Sequence, residues 1–173
     1  MILDANSHPI FIGMPGSGKS TLGRAVAKRL GRAFIDTDER MESTTGLSLQ
    51  TYMDTHGPAA FARLESATGL GLSPSEPTLV ATGGSMIYSD EAMAHLARLG
   101  PVVFLDVPLE ILQARVGCGS DRGLLQRQSG GLSALWEERR PFYLRHADLI
   151  VPLEEGDPNA QAEHIARLLS TRE

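Results

Sequence analysis

Gly13-Met14-Pro15-Gly16-Ser17-Gly18-Lys19-Ser20-Thr21 is the stretch on which the reading of this chain turns. It fits G-x-x-x-x-G-K-[ST], the P-loop pattern. Glycines at 13, 16 and 18 let the backbone turn tightly and approach an anion without a Cβ in the way. Successive backbone N–H groups then make a concave nest for phosphate oxygens. Lys19 adds a point positive charge. The Ser20 hydroxyl can ligate Mg²⁺, a hard cation that takes oxygen ligands.

The flanks carry the motif. Ile10-Phe11-Ile12 before it is a short apolar run with strand character. After it Leu22, Val26 and Leu30 recur every fourth residue, with Arg24, Lys28 and Arg29 between them. That is an amphipathic helix, stopped by Gly31. Strand, glycine loop and helix is the order that aims a helix N-terminus at phosphates.

The chain has 173 residues, which fits one domain with a substantial core. A formal net charge of −5 and no long basic run argue against a nucleic-acid partner. One cysteine, Cys118, excludes an intramolecular disulfide framework. No apolar run approaches membrane-spanning length, and the first eight residues do not read as a secretory signal. A cytoplasmic monomer is the expectation.

Further along, strand character recurs at 33–35, 78–82, 102–107 and 149–151. The 102–107 run is the most continuous and reads as a central strand buried on both faces. Helices are expected from about 39, as two pieces over 48–72 broken near Gly57-Pro58, and over 90–99 with Ser89 as N-cap. Pro108 opens another, to about 116. A helix over 132–145 is expected to break at Pro141, and one over 160–169 closes the chain. Residues 117–131 hold five glycines and Arg122, which favours a functional segment such as a lid. Alternating strands and helices argue for a parallel α/β sheet, with ligands beyond the carboxyl ends of its strands. The P-loop, Asp36-Thr37-Asp38 and Gly83-Gly84-Ser85 each follow a strand, so one cleft could collect all three.

In extended backbone the side chains of Asp36 and Asp38 would point to one side. One carboxylate could help hold Mg²⁺ and the other could accept a hydrogen bond from an attacking hydroxyl; solvated loop aspartates or a helix cap are the plain alternatives. Gly83-Gly84 admits a ligand close to the backbone, or is an ordinary turn. Arg122 could offset the charge of a transferring phosphoryl group, or be a solvated loop residue. Of Arg139 and Arg140, one could clamp a carboxylate and the other be a solvated helix residue. Cys118 reads as a bystander.

Taken together, the P-loop with Leu22-Gly23-Arg24, Phe34-Ile35-Asp36-Thr37-Asp38, Ala81-Thr82-Gly83-Gly84, Arg122-Gly123-Leu124-Leu125 and Arg139-Arg140-Pro141-Phe142-Tyr143 resemble the shikimate kinases over nearly the whole chain. The resemblance implies a P-loop three-layer α/β/α fold of nucleoside-monophosphate-kinase type. It would have a five-stranded parallel sheet, a substrate-binding region at about 37–72 and a lid at about 117–131. It implies ATP-dependent phosphorylation of shikimate in aromatic amino-acid biosynthesis, with Mg²⁺. Lys19 and the amides of Gly16, Ser17, Gly18, Ser20 and Thr21 would hold ATP phosphates, and Ser20 with Asp36 would bind Mg²⁺ directly or through water. Arg115 and Pro158 would flank adenine, and Arg122 would be the lid arginine. Asp38 would meet the substrate hydroxyl, Gly83 and Gly84 would line the pocket, and Arg139 would bind the substrate carboxylate.

The chain departs from the family pattern in three places. Family members read Gly-Glu-x-x-Phe-Arg-x-x-Glu where this chain has Gly57-Pro58-Ala59-Ala60-Phe61-Ala62-Arg63-Leu64-Glu65. Ala62 takes the place of an arginine that helps hold the shikimate carboxylate, and Arg63 points about 100° away on a helix. Ser85 replaces a third glycine, and Gly123 replaces a proline. Without a guanidinium at 62, Glu65 could accept an ammonium. Another small hydroxy acid, or a hydroxy amino acid such as homoserine, is therefore the alternative acceptor, and a nucleotide-binding regulator without kinase activity is the third reading.

Overall fold

The computed structural model describes residues 3, 4, 6–116 and 131–170. Among them five strands form one parallel sheet: β1 (Ile10–Ile12), β2 (Ala33–Asp36), β3 (Thr78–Ala81), β4 (Val102–Asp106) and β5 (Leu149–Pro152), in the order β2-β3-β1-β4-β5. Every pairing is parallel, as a chain of strand–helix–strand crossovers requires. β1 is the middle strand and β4 lies beside it, so the long apolar run at 102–107 is interior but not central. Both strands are sealed on their two faces: Ile10, Phe11 and Ile12, and Val102, Val103 and Leu105, expose nothing.

The order reverses at β1. Its C-terminal end is the topological switch point where such sheets take ligands, and the P-loop leaves from there. Helix α1 (Lys19–Leu30) follows, burying Leu22 and Val26 and ending on Gly31 at φ 63°. Helices α2 (Thr37–Thr45), α3 (Leu49–His56) and α4 (Pro58–Leu70) fill the stretch between β2 and β3. After β3 come a 3-10 turn (Met86–Tyr88) and α5 (Asp90–Leu99), capped as expected by Ser89, whose hydroxyl accepts from the Ala92 N–H. Helices α6 (Leu109–Val116), α7 (Gly131–His146) and α8 (Pro158–Ser170) complete the described chain.

Two sequence expectations are corrected. Helix α2 begins at Thr37, directly after β2, because Asp36 caps it. Helix α7 runs unbroken through Pro141. The proline removes one N–H from the helix ladder. Packing holds the helix across it: Tyr143 is fully buried and stacks on Phe104 of β4 with ring centroids 5.1 Å apart.

Candidate functional site

The P-loop nest forms through backbone conformations that favour glycine. Gly13, Gly16 and Gly18 have φ of 152°, 77° and 90°. Gly18 is the N-cap of α1 and no side chain caps that end, so the helix presents its first N–H groups to the loop. The Lys19 ammonium donates to the carbonyls of Gly13 and Met14 at 2.9 and 2.8 Å. Ser17 is wholly buried beneath the turn. Gly13 lies against β4, where a Cβ would stand 3.0 Å from the Leu105 carbonyl.

Next to the nest, β2 and β3 end side by side, and the register pairs Asp36 with Ala81. Asp36 turns back to accept the Asp38 N–H at 2.9 Å, which starts α2. The expected same-side arrangement of Asp36 and Asp38 on extended backbone therefore does not form. Asp38 lies in the first helical turn and faces the cavity, while Asp36 is buried behind it as the cap. Thr37 ties the two strand ends together, its hydroxyl accepting the Gly83 N–H at 2.8 Å.

Gly83 sits directly under two carboxylates. A Cβ there would overlap Glu65 Oε1 and stand 2.7 Å from Asp38 Oδ1. A Cβ on Gly84 would stand 3.0 Å from Arg139 Nη1 and 3.2 Å from Pro15 Cδ of the P-loop. The two glycines thus let P-loop, acidic pair and guanidinium converge. Tyr143 secures this strip, donating from its hydroxyl to the Gly84 carbonyl at 2.6 Å.

These groups open onto one cavity of about 370 Å³. It collects Gly16, Gly18, Lys19, Ser20, Thr21, Asp38, Glu65, Gly83, Gly84 and Arg139 of the residues expected from sequence. Ser17 and Asp36 lie behind its wall. Arg115 reaches the P-loop from α6, donating to the Gly16 carbonyl at 3.3 Å. Pro158 begins α8 away from this wall, next to Asn159, which receives Arg29 from the far end of α1. Arg122, Gly123 and Cys118, with most of the 117–131 segment, lie outside the described residues. Arg140 is not simply solvated: it pairs with Asp106 (Nη2 to Oδ2 2.7 Å) and lies over Trp136.

Sequence reasoning missed the apolar wall of Leu49, Met53 and Leu135. It also missed Ser85 as a partner, although the departure from glycine there was the available signal. The Ser85 hydroxyl donates to Glu65 Oε2. Glu65 is 3% exposed, and burial pushes its carboxyl above the usual value. The Ser85 hydrogen bond and the charges of Arg139 and Lys19 pull it part of the way back. Ala62 is exposed on α4, one turn before Glu65. Arg139, 7% exposed, is therefore the guanidinium that meets this cavity among the described residues.

An N–H nest with a lysine, beside a carboxylate and an arginine in a part-apolar cavity, is arranged to bring a phosphate and a hydroxylated anion together. Comparison with known proteins gives the same picture. Residues 15–170 match the family model for shikimate kinase. The shikimate kinase of Aromatoleum aromaticum is 34% identical over 162 residues, covering 92% of this chain and 93% of that protein. That of Synechococcus elongatus is 34% identical over 173 residues, covering 98% and 90%. Among solved structures, the shikimate kinase of Acinetobacter baumannii in complex with shikimate superposes with a TM-score of 0.86 at 29% identity, covering 95% of this chain and 93% of that one. A deoxyadenosine kinase with bound dATP, at 14% identity and a TM-score of 0.62, shares the fold alone. With a P-loop at the switch point, a cavity walled by the strand ends beside it, and a family match that spans both, the chain belongs to the shikimate kinase family.

Proposed function

We propose that this protein transfers the γ-phosphoryl group of ATP to a ring hydroxyl of shikimate. The observation that carries the reading is the single cavity onto which the P-loop, Asp38 and Arg139 all open. The family match and the relatives that act on shikimate support it.

In this reading the amides of Gly16, Ser17, Gly18, Ser20 and Thr21 and the Lys19 ammonium bind the phosphates. Arg115 and Pro158 flank the adenine. The acceptor region is 37–72, whose helices bring Asp38, Leu49, Met53, Phe61 and Glu65 to the cavity. Arg139 binds the acceptor's carboxylate and Gly83-Gly84 lies beneath its ring. Asp38 accepts the hydrogen of the attacking hydroxyl and orients it in line with the γ-phosphorus. The 117–131 segment, with Arg122, serves as the lid, and the domain works as a monomer.

Mg²⁺ fits the donors present. Ser20 lines the cavity and offers a hard hydroxyl oxygen, while the Asp36 carboxylate, behind the wall and engaged as the α2 cap, would reach the ion through water. Among the described residues no three His, Cys, Asp or Glu side chains form a metal cage, so the ion would take its remaining ligands from phosphate and water. When bound, Mg²⁺ supplies charge neutralisation at the β- and γ-phosphates.

Homoserine is the weaker alternative. Glu65, the group that would accept its ammonium, is engaged by Ser85 and held toward its neutral form by burial. Substrate-dependent ADP release decides between them. Saturable release with shikimate and none with homoserine is expected; release that shikimate leaves unchanged would overturn the proposal. The variant Ala62→Arg adds a second guanidinium one turn from Glu65. It is expected to lower the shikimate KM about 10-fold, and an unchanged KM would argue against the acceptor pose.

A further inference from the structure

We propose that Tyr88 is a positioning residue for Arg139, holding the guanidinium so that its Nη edge faces the cavity. The inference deepens the proposed function and rests on its reading of Arg139 as the partner of the acceptor's carboxylate.

Tyr88 ends the 3-10 turn after β3 and stands 51 residues before Arg139 in the chain. Arg139 Nε donates to the Tyr88 oxygen at 3.2 Å, and its Cζ lies 5.3 Å from the centroid of the Tyr88 ring. A phenol has one proton to give. Tyr88 gives it to Glu138 Oε1 at 2.5 Å, which turns the oxygen's lone-pair density toward Nε. Phe142 meets the ring edge-on, with centroids 5.4 Å apart, and fixes its plane. Three α7 residues thus grip one tyrosine: Glu138 accepts its O–H hydrogen bond, Arg139 uses its oxygen and face, and Phe142 sets its tilt.

A guanidinium has five N–H groups. With Nε engaged by Tyr88, the edge turned toward the cavity is the Nη pair. Nη1 already lies beside Gly84, the residue that Tyr143 anchors. Tyr88 holds the guanidinium at Nε, while Tyr143, whose hydroxyl also hydrogen-bonds with Arg139, ties it to the backbone strip of Gly84. The support has particular weight in this chain, where residue 62 is alanine and contributes no second clamp. A long arginine left to itself would lose rotamer freedom on binding its ligand, and preorganisation removes that loss.

Tyr88 is 43% exposed, so shortening its side chain leaves the core intact. The experiment compares Tyr88→Phe, which removes the oxygen and keeps the ring, with Tyr88→Leu, which removes both. It measures each in the native chain and in an Arg139→Lys background. Tyr88→Phe is expected to raise the shikimate KM about 10-fold, with kcat and the ATP KM within about twofold. Tyr88→Leu should raise it further. In the Arg139→Lys background Tyr88→Phe should add less than about twofold, the signature of one coupled unit. A second readout needs no substrate: the ¹⁵Nε–¹Hε NMR signal of Arg139, assigned by its loss in Arg139→Lys. Its hydrogen exchange with water should be slow in the native protein and faster in Tyr88→Phe. Unchanged exchange in Tyr88→Phe overturns the inference, as does an equal rise in the KM of ATP and shikimate. If the native protein fails to use shikimate, the proposed function falls, and Nε–H exchange still decides the role of Tyr88.

Discussion

Gly83 is the most constrained position of the acceptor wall, because two carboxylates share the space a side chain would need. In Gly83→Ala the new Cβ must displace Glu65 or Asp38. Misplacing a reacting group by about 1 Å can cost roughly 100-fold in rate. We expect kcat for shikimate to fall by about that much while ATP binding persists, which steady-state kinetics and a nucleotide titration would check together. Glu65 carries a pH signature of its own. Burial raises its pKa above the ordinary 4.5, so the folded protein holds this proton more tightly than the unfolded chain. Its contribution to stability is full below the ordinary value and is lost as pH rises through the folded value. Glu65→Gln cannot ionise and escapes that loss. Its Tm relative to the native protein should therefore climb as pH rises above the ordinary 4.5; a constant difference would mean the carboxyl is not held high.

Among the elements, α1 is the one that joins the nest to the sheet. It can sit close because residue 23 is glycine: a Cβ there would stand 2.6 Å from Phe34 Cε2 and 3.2 Å from Leu79 Cδ2. Any shift of the Phe34 ring would disturb the Arg24 guanidinium, which lies 4.6 Å above it. Overpacking of this kind costs about 1–3 kcal/mol. Gly23→Ala should lower Tm by several degrees despite alanine's better helix propensity, and an unchanged melting curve would show that β2 gives way freely. The elements around α1 were legible in proportion to how local their signals are. Gly31 and Ser89 end and begin helices through their own backbone and hydroxyl, and both stand where their residue types suggested. Pro141 misled because its local cost is outweighed by burial of Tyr143 against β4, a contact between residues far apart in the chain. Asp36 and Asp38 misled in the same way: whether a residue pair lies on strand or helix depends on where the cap forms.

At the scale of the molecule, binding at the switch point should act on the whole domain. A ligand that binds only the folded state at 100 times its Kd adds about 2.7 kcal/mol. For a domain of this size that is roughly 5–10 °C in Tm. Titration with ATP and Mg²⁺ should show that rise, and Lys19→Ala should abolish most of it. A flat response in the native protein would remove the nucleotide from the account.

The P-loop could be read directly from the chain because nine consecutive residues contain everything that a phosphate nest needs: glycines for the turn, amides for the oxygens, a lysine and a hydroxyl. The parallel α/β class was equally legible, since strand and helix periodicities are local. The acceptor site was not of that kind. Its groups come from α2, α4, the strip after β3 and α7, and they meet only because parallel strands end at one edge of the sheet. Tertiary structure alone decided that Ser85 engages Glu65, that Arg140 turns to Asp106 while Arg139 faces the cavity, and that Tyr88 supports Arg139. Each is a contact between residues at least twenty apart, and burial and packing, which no local sequence pattern specifies, selected it.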